Sequence, residues 1–125
     1  VWPAGTNSIV GFPAAAQRTY GEIFCGKGPL IARGANINPV LGKMLEAAAE
    51  KNKIPVQIAG EPRATGTDAN SIQVNRSGVA AALVSVPNRY MHTPVEVVSL
   101  DDAENTVKLL AATILAMKPG TDFTP

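Results

Sequence analysis

The segment from Arg89 to Glu96 contains the residues best suited to chemistry, because it carries the only histidine of the chain, His92. An imidazole binds metal ions and transfers protons near neutral pH. The preceding residues, 79–86, are almost all apolar and predict a strand that is buried on both faces and broken by Pro87 and Asn88. Ligands of open α/β sheets bind beyond the carboxyl ends of strands, which favours a functional His92. A lone histidine is often a hydrogen-bonded structural residue, so position alone leaves both interpretations open.

A second polar motif lies at residues 64–70, where the pattern predicts a turn from a strand into a helix. Thr67 and Asp68 can accept hydrogen bonds from the first amides of that helix, which we predict over 69–76 with Gly78 as a left-handed cap. The alternative is that one of them faces a metal site, either hydrogen-bonded to a metal ligand or in contact with substrate. The residues by themselves leave these two roles open.

Alternating strands and helices are predicted along the rest of the chain. Residues 21–25 and 29–32 read as short extended segments around a glycine turn. Asn38 can cap a helix that begins at Pro39, and residues 54–59 then return as a strand, as in a βαβ unit. The predicted buried face of that helix consists of Val40, Leu41, Met44, Leu45 and Ala48.

The last helix is long and apolar. Ser99 and Asp102 have the spacing of a capping box, and Pro119–Gly120 follows the helix. We interpret the acidic pair Asp101–Asp102 as helix-capping rather than catalytic, because negative charge is favourable in a first turn. The face predicted to pack in the core consists of Leu100, Ala103, Val107, Leu110, Ala111, Ile114 and Leu115.

Three motifs together resemble a known family: 66–73, 76–79 and 89–96 match, in order and spacing, the C-terminal part of the glutamyl aminopeptidase and tetrahedral aminopeptidase family. Its members are dinuclear metalloaminopeptidases, and some are labelled endoglucanase or cellulase M. The resemblance runs from about Tyr20 to about Met117. It implies an α/β fold, a three-layer α/β/α sandwich, with residues 1–125 as the C-terminal part of one metallopeptidase catalytic domain. The upstream catalytic half and the inserted lid domain would lie outside this sequence.

The resemblance also implies a mechanism. Two divalent metal ions, zinc or cobalt, activate a water that attacks the first peptide bond of a substrate with a free amino terminus. His92 matches the last metal ligand of the family, within its Arg-Tyr-x-His motif, and Thr67 and Asp68 stand as candidates for a substrate or supporting role. The other ligands and the catalytic base fall upstream, so we expect no catalytic residue here and no activity from this chain alone.

Composition excludes some partners. The chain has a formal net charge of +1, and only 5% of its residues are aromatic, which gives no basic stripe or stacking platform for nucleic acid. No apolar run is long enough to span a membrane and no signal peptide is evident, so we expect a cytoplasmic protein. Cys25 is single and is expected to be a buried or half-buried thiol.

Two hypotheses about function follow. The first is a part of a metalloaminopeptidase, with peptide substrates, an upstream segment or partner chain that completes the site, and a homo-oligomer up to a dodecamer, as the family forms. The second is a non-catalytic α/β module retained for assembly or binding. Bound metal at His92 would distinguish the first from the second.

Overall fold

A computed structural model describes residues 2–3, 22–64, 66–91 and 93–124. Six strands and three helices are found in these ranges. They are β1 (Trp2–Pro3), β2 (Leu30–Gly34), α1 (Pro39–Asn52), β3 (Gln57–Glu61), α2 (Ala69–Ile72), β4 (Val84–Ser85), β5 (Pro87–Arg89), β6 (Val97–Val98) and α3 (Leu100–Ala116).

The strands form two small sheets of three strands each. β2 lies between β3, which is parallel to it, and β4, which is antiparallel. β5 lies between a parallel β1 and an antiparallel β6. The unit β2–α1–β3 is the predicted βαβ crossover, although β3 begins three residues later than the pattern placed it. The predicted α/β class is confirmed by this mixture of helices and strands.

The long buried strand predicted over 79–86 is wrong in its extent. Only Val84–Ser85 pairs with β2, while residues 80–84 are half-buried rather than buried on both faces. The residues before Val84 form two separate backbone hydrogen bonds instead of a continuous ladder. Ala32 N donates to Leu83 O at 3.0 Å, and Asn38 N donates to Ala81 O at 2.8 Å. Pro87 does not end the extended chain but begins β5, a position where its missing N–H is tolerated.

Helix α1 forms as the sequence predicts. The side chain of Asn38 accepts hydrogen bonds from Val40 N and Leu41 N, and Pro39 occupies the first turn. Leu45, Ala48 and Ala49 are buried in the main core with Ile31 of β2 and Leu109 of α3. The helix therefore joins the βαβ unit to the last helix.

The face of helix α3 that is buried in the core is opposite to the predicted one. Its buried residues are Asp102, Leu109 and Thr113, whereas Leu110 is 42% exposed and Ile114 is 64% exposed. Thr113 is tolerated inside because its hydroxyl donates to Leu109 O at 2.8 Å, a bond within the helix itself. Exposed large hydrophobics on the predicted core face are Leu100, Val107, Leu110, Ile114 and Leu115, which we name the outer face of α3.

The short helix after the second motif also differs from its prediction. It ends at Ile72 rather than at Arg76, and the chain continues through turns to Gly78, whose φ of +102° is the predicted left-handed conformation. Asp68 makes no side-chain hydrogen bond to the helix start. The capping role considered for Asp68 is therefore wrong.

Candidate functional site

The loop between β5 and β6, residues 90–96, carries position 92. His92 itself lies outside the described residues, and its role as a metal ligand stays a prediction. Thr93 closes the loop: its hydroxyl lies 2.7 Å from Tyr90 O and 2.8 Å from Val95 O, and its amide donates to Tyr90 O. Tyr90 has a φ of +59°, a conformation that non-glycine residues seldom adopt outside functional or strained turns. Thr93 thus links Tyr90 to Val95 next to a short antiparallel pair of strands.

A hydrogen bond closes the base of this loop. Asn88 is 1% exposed, and its Nδ2 donates to Oε2 of Glu96 at 2.7 Å. Asn88 pairs with Val98 across the strands, so the bond joins the two sides where the loop leaves β5 and returns towards β6. A carboxylate acceptor makes this bond stronger than one between neutral groups.

Arg89 and Tyr90 are joined on the same strand end. Arg89 Nη2 donates to the Tyr90 hydroxyl at 2.7 Å, and the guanidinium carbon lies 4.8 Å from the centre of the Tyr90 ring. Within the part of the chain that is described, Arg89 Nε and Asn88 Oδ1 are buried without a hydrogen-bond partner. Buried polar atoms are normally paired, so we expect polar groups from elsewhere to reach both sides of β5.

Asp102 fixes the neighbouring glycine turn. Its carboxylate is 1% exposed and accepts hydrogen bonds from Gly26 N at 2.6 Å and Gly28 N at 2.7 Å. Ser99 accepts from Asp102 N at 3.4 Å, so only one half of the predicted capping box forms. The other half of the box, a bond from the Ser99 amide to the Asp102 carboxylate, is replaced by the bonds of that carboxylate to the glycine turn. Gly28 is required there, since a Cβ would lie 1.9 Å from Pro55 O.

Cys25 lies between this turn and the base of the loop. Its thiol is half-buried, as predicted, and lies 3.8 Å from Pro87 O and 4.0 Å from Val97 O. Burial, followed by the charge of Asp102, raises the pKa of the Cys25 thiol, and Arg89 opposes the shift. A raised pKa keeps the thiol protonated at neutral pH, which is opposite to what a nucleophile needs.

Thr67 and Asp68 lie elsewhere. They follow β3, whose last residue, Glu61, is paired with Gly34 at the carboxyl end of β2. Both are exposed, and the neighbouring Asn70 is tied to Asn36 by a 2.7 Å side-chain bond. This end of the sheet also carries an open groove of about 510 Å³ between the start of α1, residues 77–81 and residues 122–124.

The loop with position 92 is at the other end. Leu30 at the amino end of β2 faces Ser85 of the antiparallel β4, and β5 then runs on past that end beside Cys25. Thr67 and Asp68 thus follow a strand that ends beside the carboxyl end of β2, whereas β4 ends beside its amino end. A role for Thr67 and Asp68 at a site with His92 stays a prediction.

The described ranges alone supply no metal site, because in them no three His, Cys, Asp or Glu side chains come together. A metal ion bound at this loop would need further ligands from outside those ranges. No helix described by the structure is long and apolar enough to cross a membrane.

Sequence reasoning missed three residues at this end of the molecule: Asn88, Glu96 and Asp102. Glu96 was inside the recognised motif but had no assigned partner, because an eight-residue separation across a hairpin is not visible in the sequence. Asn88 was read as a strand breaker. Asp102 was read as a local cap, and its real partners lie 74 and 76 residues away.

Comparison with known proteins gives a consistent result. The family model for M42 glutamyl aminopeptidase matches residues 9–109. A lysyl aminopeptidase from Pyrococcus furiosus is 50% identical over 100 residues, which are 80% of this chain and 29% of the relative. The chain thus spans less than a third of that relative's length.

Solved structures agree in fold. An aminopeptidase from the archaeon Desulfurococcus kamchatkensis has a TM-score of 0.76 and 34% identity, over 95% of this chain and 33% of its own. The dodecamer structure named PhTET1-12s has a TM-score of 0.65 and 34% identity, over 79% and 30% of the two chains.

Proposed function

Because the chain belongs to the M42 glutamyl aminopeptidase family, we propose that it forms part of a metal-dependent aminopeptidase that removes N-terminal residues from peptides. The family match carries this proposal, since it spans residues 9–109 and includes the Arg-Tyr-x-His motif that ends at His92. The chain spans 29% of its lysyl aminopeptidase relative, so the activity is proposed for a protein that contains more than these residues.

This chain would contribute one ligand to the metal site. His92 would bind through an imidazole nitrogen, a donor that suits zinc and cobalt, and the remaining ligands would come from other parts of the protein. Two bound metal ions would lower the pKa of a water and polarise the substrate carbonyl. One imidazole fits a share of such a site but not a whole one.

The residues of this chain would act by holding the loop in place. Thr93 closes the turn through its two hydroxyl contacts, and the Arg89–Tyr90 pair stabilises the strand end beside it. We assign no proton transfer to this chain. The catalytic base is proposed to lie outside it.

Assembly is the second part of the proposal. The outer face of α3 is apolar and exposed, although solvent-facing helix surfaces are normally polar. We propose that the rest of the same catalytic domain covers this face, because the relatives have more than twice as much chain outside the matched region as within it. A homo-oligomer, as in the dodecamer of the similar structure, would then form from complete subunits, and a cytoplasmic location is proposed with it.

Removal of the imidazole tests the function. In the full-length protein, His92→Ala should lose bound metal, measured by elemental analysis, and should lose hydrolysis of aminoacyl anilides while the fold survives. The 125-residue chain by itself should hydrolyse none of these substrates with zinc or cobalt added. Full metal stoichiometry and normal turnover in His92→Ala would show that His92 is not a metal ligand, whereas folded full-length protein without bound metal would favour the non-catalytic module.

A further inference from the structure

A hydrogen bond from Asn88 to Glu96 joins the two sides of the 90–96 loop at its base. Asn88 is almost fully buried at the centre of the β1–β5–β6 sheet, and Glu96 is exposed at the far side of the loop. The buried amide has one described partner, the Glu96 carboxylate at 2.7 Å. A buried donor whose acceptor is removed loses its hydrogen bond without gaining water. The bond therefore ties a residue of the loop to a residue buried in the sheet.

The 90–96 loop leaves the sheet on a short ladder. The two strands that carry it pair at only two positions, Asn88 with Val98 and Arg89 with Val97. The Thr93 contacts organise the tip but do not connect it to the sheet. The Asn88–Glu96 bond is the described side-chain contact that connects a loop residue to a buried strand residue.

We propose that Asn88 and Glu96 are positioning residues that set the conformation of the 90–96 loop and thereby the placement of His92. This inference rests on the proposed function, because it takes His92 to be a metal ligand. Neither residue is a catalytic residue. Partners that orient a metal ligand typically change metal affinity ~10- to 100-fold when they are removed.

The test uses full-length protein and zinc ion alone as the probe, with the dissociation constant measured by competition with a chelator. We expect Glu96→Ala and Asn88→Ala each to weaken zinc binding ~10- to 100-fold. Glu96→Gln should stay close to the parent, because its amide oxygen can still accept from Asn88 Nδ2. The double variant should be no weaker than Glu96→Ala, because that single variant already removes the bond between the two residues. Hydrogen exchange of the amides in 90–96 should be faster in both alanine variants.

A matched control is Glu104→Ala, which removes an exposed glutamate of α3 that pairs with Lys108 on the surface. It should leave zinc binding and exchange in the loop unchanged. If His92→Ala weakens zinc binding but Glu96→Ala and Asn88→Ala do not, the inference is wrong and the proposed function stands. If Glu96→Gln is as weak as Glu96→Ala, or the single losses add, the shared hydrogen bond is not the cause. If His92→Ala binds zinc normally, the ligand role of His92 in the proposed function fails, and the inference fails with it.

Discussion

The helices α1 and α3 pack against each other, yet the predicted core face contains two of the buried residues of α1, Leu45 and Ala48, and none of those buried in α3. In α1 the apolar residues occupy one face, and that face meets the core. In α3 apolar residues occupy two faces, and the face buried here is the less apolar one, with Asp102, Leu109 and Thr113. A pattern identifies which faces are apolar, but it does not identify which neighbour covers each of them. A helix with two apolar faces indicates two neighbours.

The largest effect should separate two adjacent leucines of α3. Leu109→Ala should lower the free energy of unfolding by ~2–5 kcal/mol, because Leu109 is fully buried and its removal leaves a cavity. Leu110→Ala should change it by only about 0.5 kcal/mol or less in the 125-residue chain, where this side chain is 42% exposed. Chemical denaturation measures both. Equal losses would contradict the difference in burial between the two side chains.

The outer face can be tested in the same way. Ile114→Ala should have little effect in the 125-residue chain, where Ile114 is 64% exposed. In full-length protein it should cost ~2–5 kcal/mol, because the rest of the domain is proposed to cover this face. Thermal unfolding of both forms gives the comparison. An effect seen only on subunit association, measured by light scattering, would assign the face to another subunit instead.

Asp102 joins the inner face of α3 to the glycine turn. Asp102→Ala should lower the free energy of unfolding by ~1–3 kcal/mol, since it leaves the buried Gly28 amide without its acceptor. Asp102→Asn keeps one acceptor oxygen and should cost less. Exchange of the Gly26 and Gly28 amides should become faster in the alanine variant, and unchanged protection there would contradict the assignment.

Removal of the two helix-capping side chains should lower stability by different amounts. Asn38→Ala should cost α1 about 0.5–2 kcal/mol, because Asn38 accepts from two amides and its Nδ2 also donates to Phe123 O at 2.7 Å. Ser99→Ala should cost α3 less, since its one contact is long, at 3.4 Å. Denaturation midpoints of the two variants measure the difference. A larger loss for Ser99→Ala would reverse the ranking.

The smallest effect concerns the ion pair between β2 and α1. Two hydrogen bonds from Arg33, at 2.6 and 2.7 Å, lower the pKa of the Glu46 carboxyl. A pKa that is lower in the folded state stabilises the protein above the unfolded value, and this contribution is lost as the pH falls through the folded value. Glu46→Gln should therefore be slightly less stable than the parent at pH 7 and equal to it in acid. Solvent exposure of Arg33 keeps the difference below that of the caps.

Local chemistry explains what could be predicted. The Asn38–Pro39 start of α1, the glycine turn before β2 and the left-handed Gly78 depend on neighbours in the sequence, and all three are confirmed. The prediction of a strand over 79–86 was wrong in extent, because an apolar run does not show how far the neighbouring strand pairs with it. Only two residues of β2 pair with β4.

The sequence alone determined the family, the α/β class and the identity of His92 as the candidate ligand, since motifs and periodicity reside in neighbouring residues. The tertiary structure alone decided that Asn88 holds Glu96, that Asp102 holds the glycine turn, and that α3 turns its more apolar face outward. Each of these depends on groups brought together across loops or from distant strands. Such pairings are set by how the whole chain packs, because a buried polar group is stable only where its partner arrives, however far away in the sequence that partner lies.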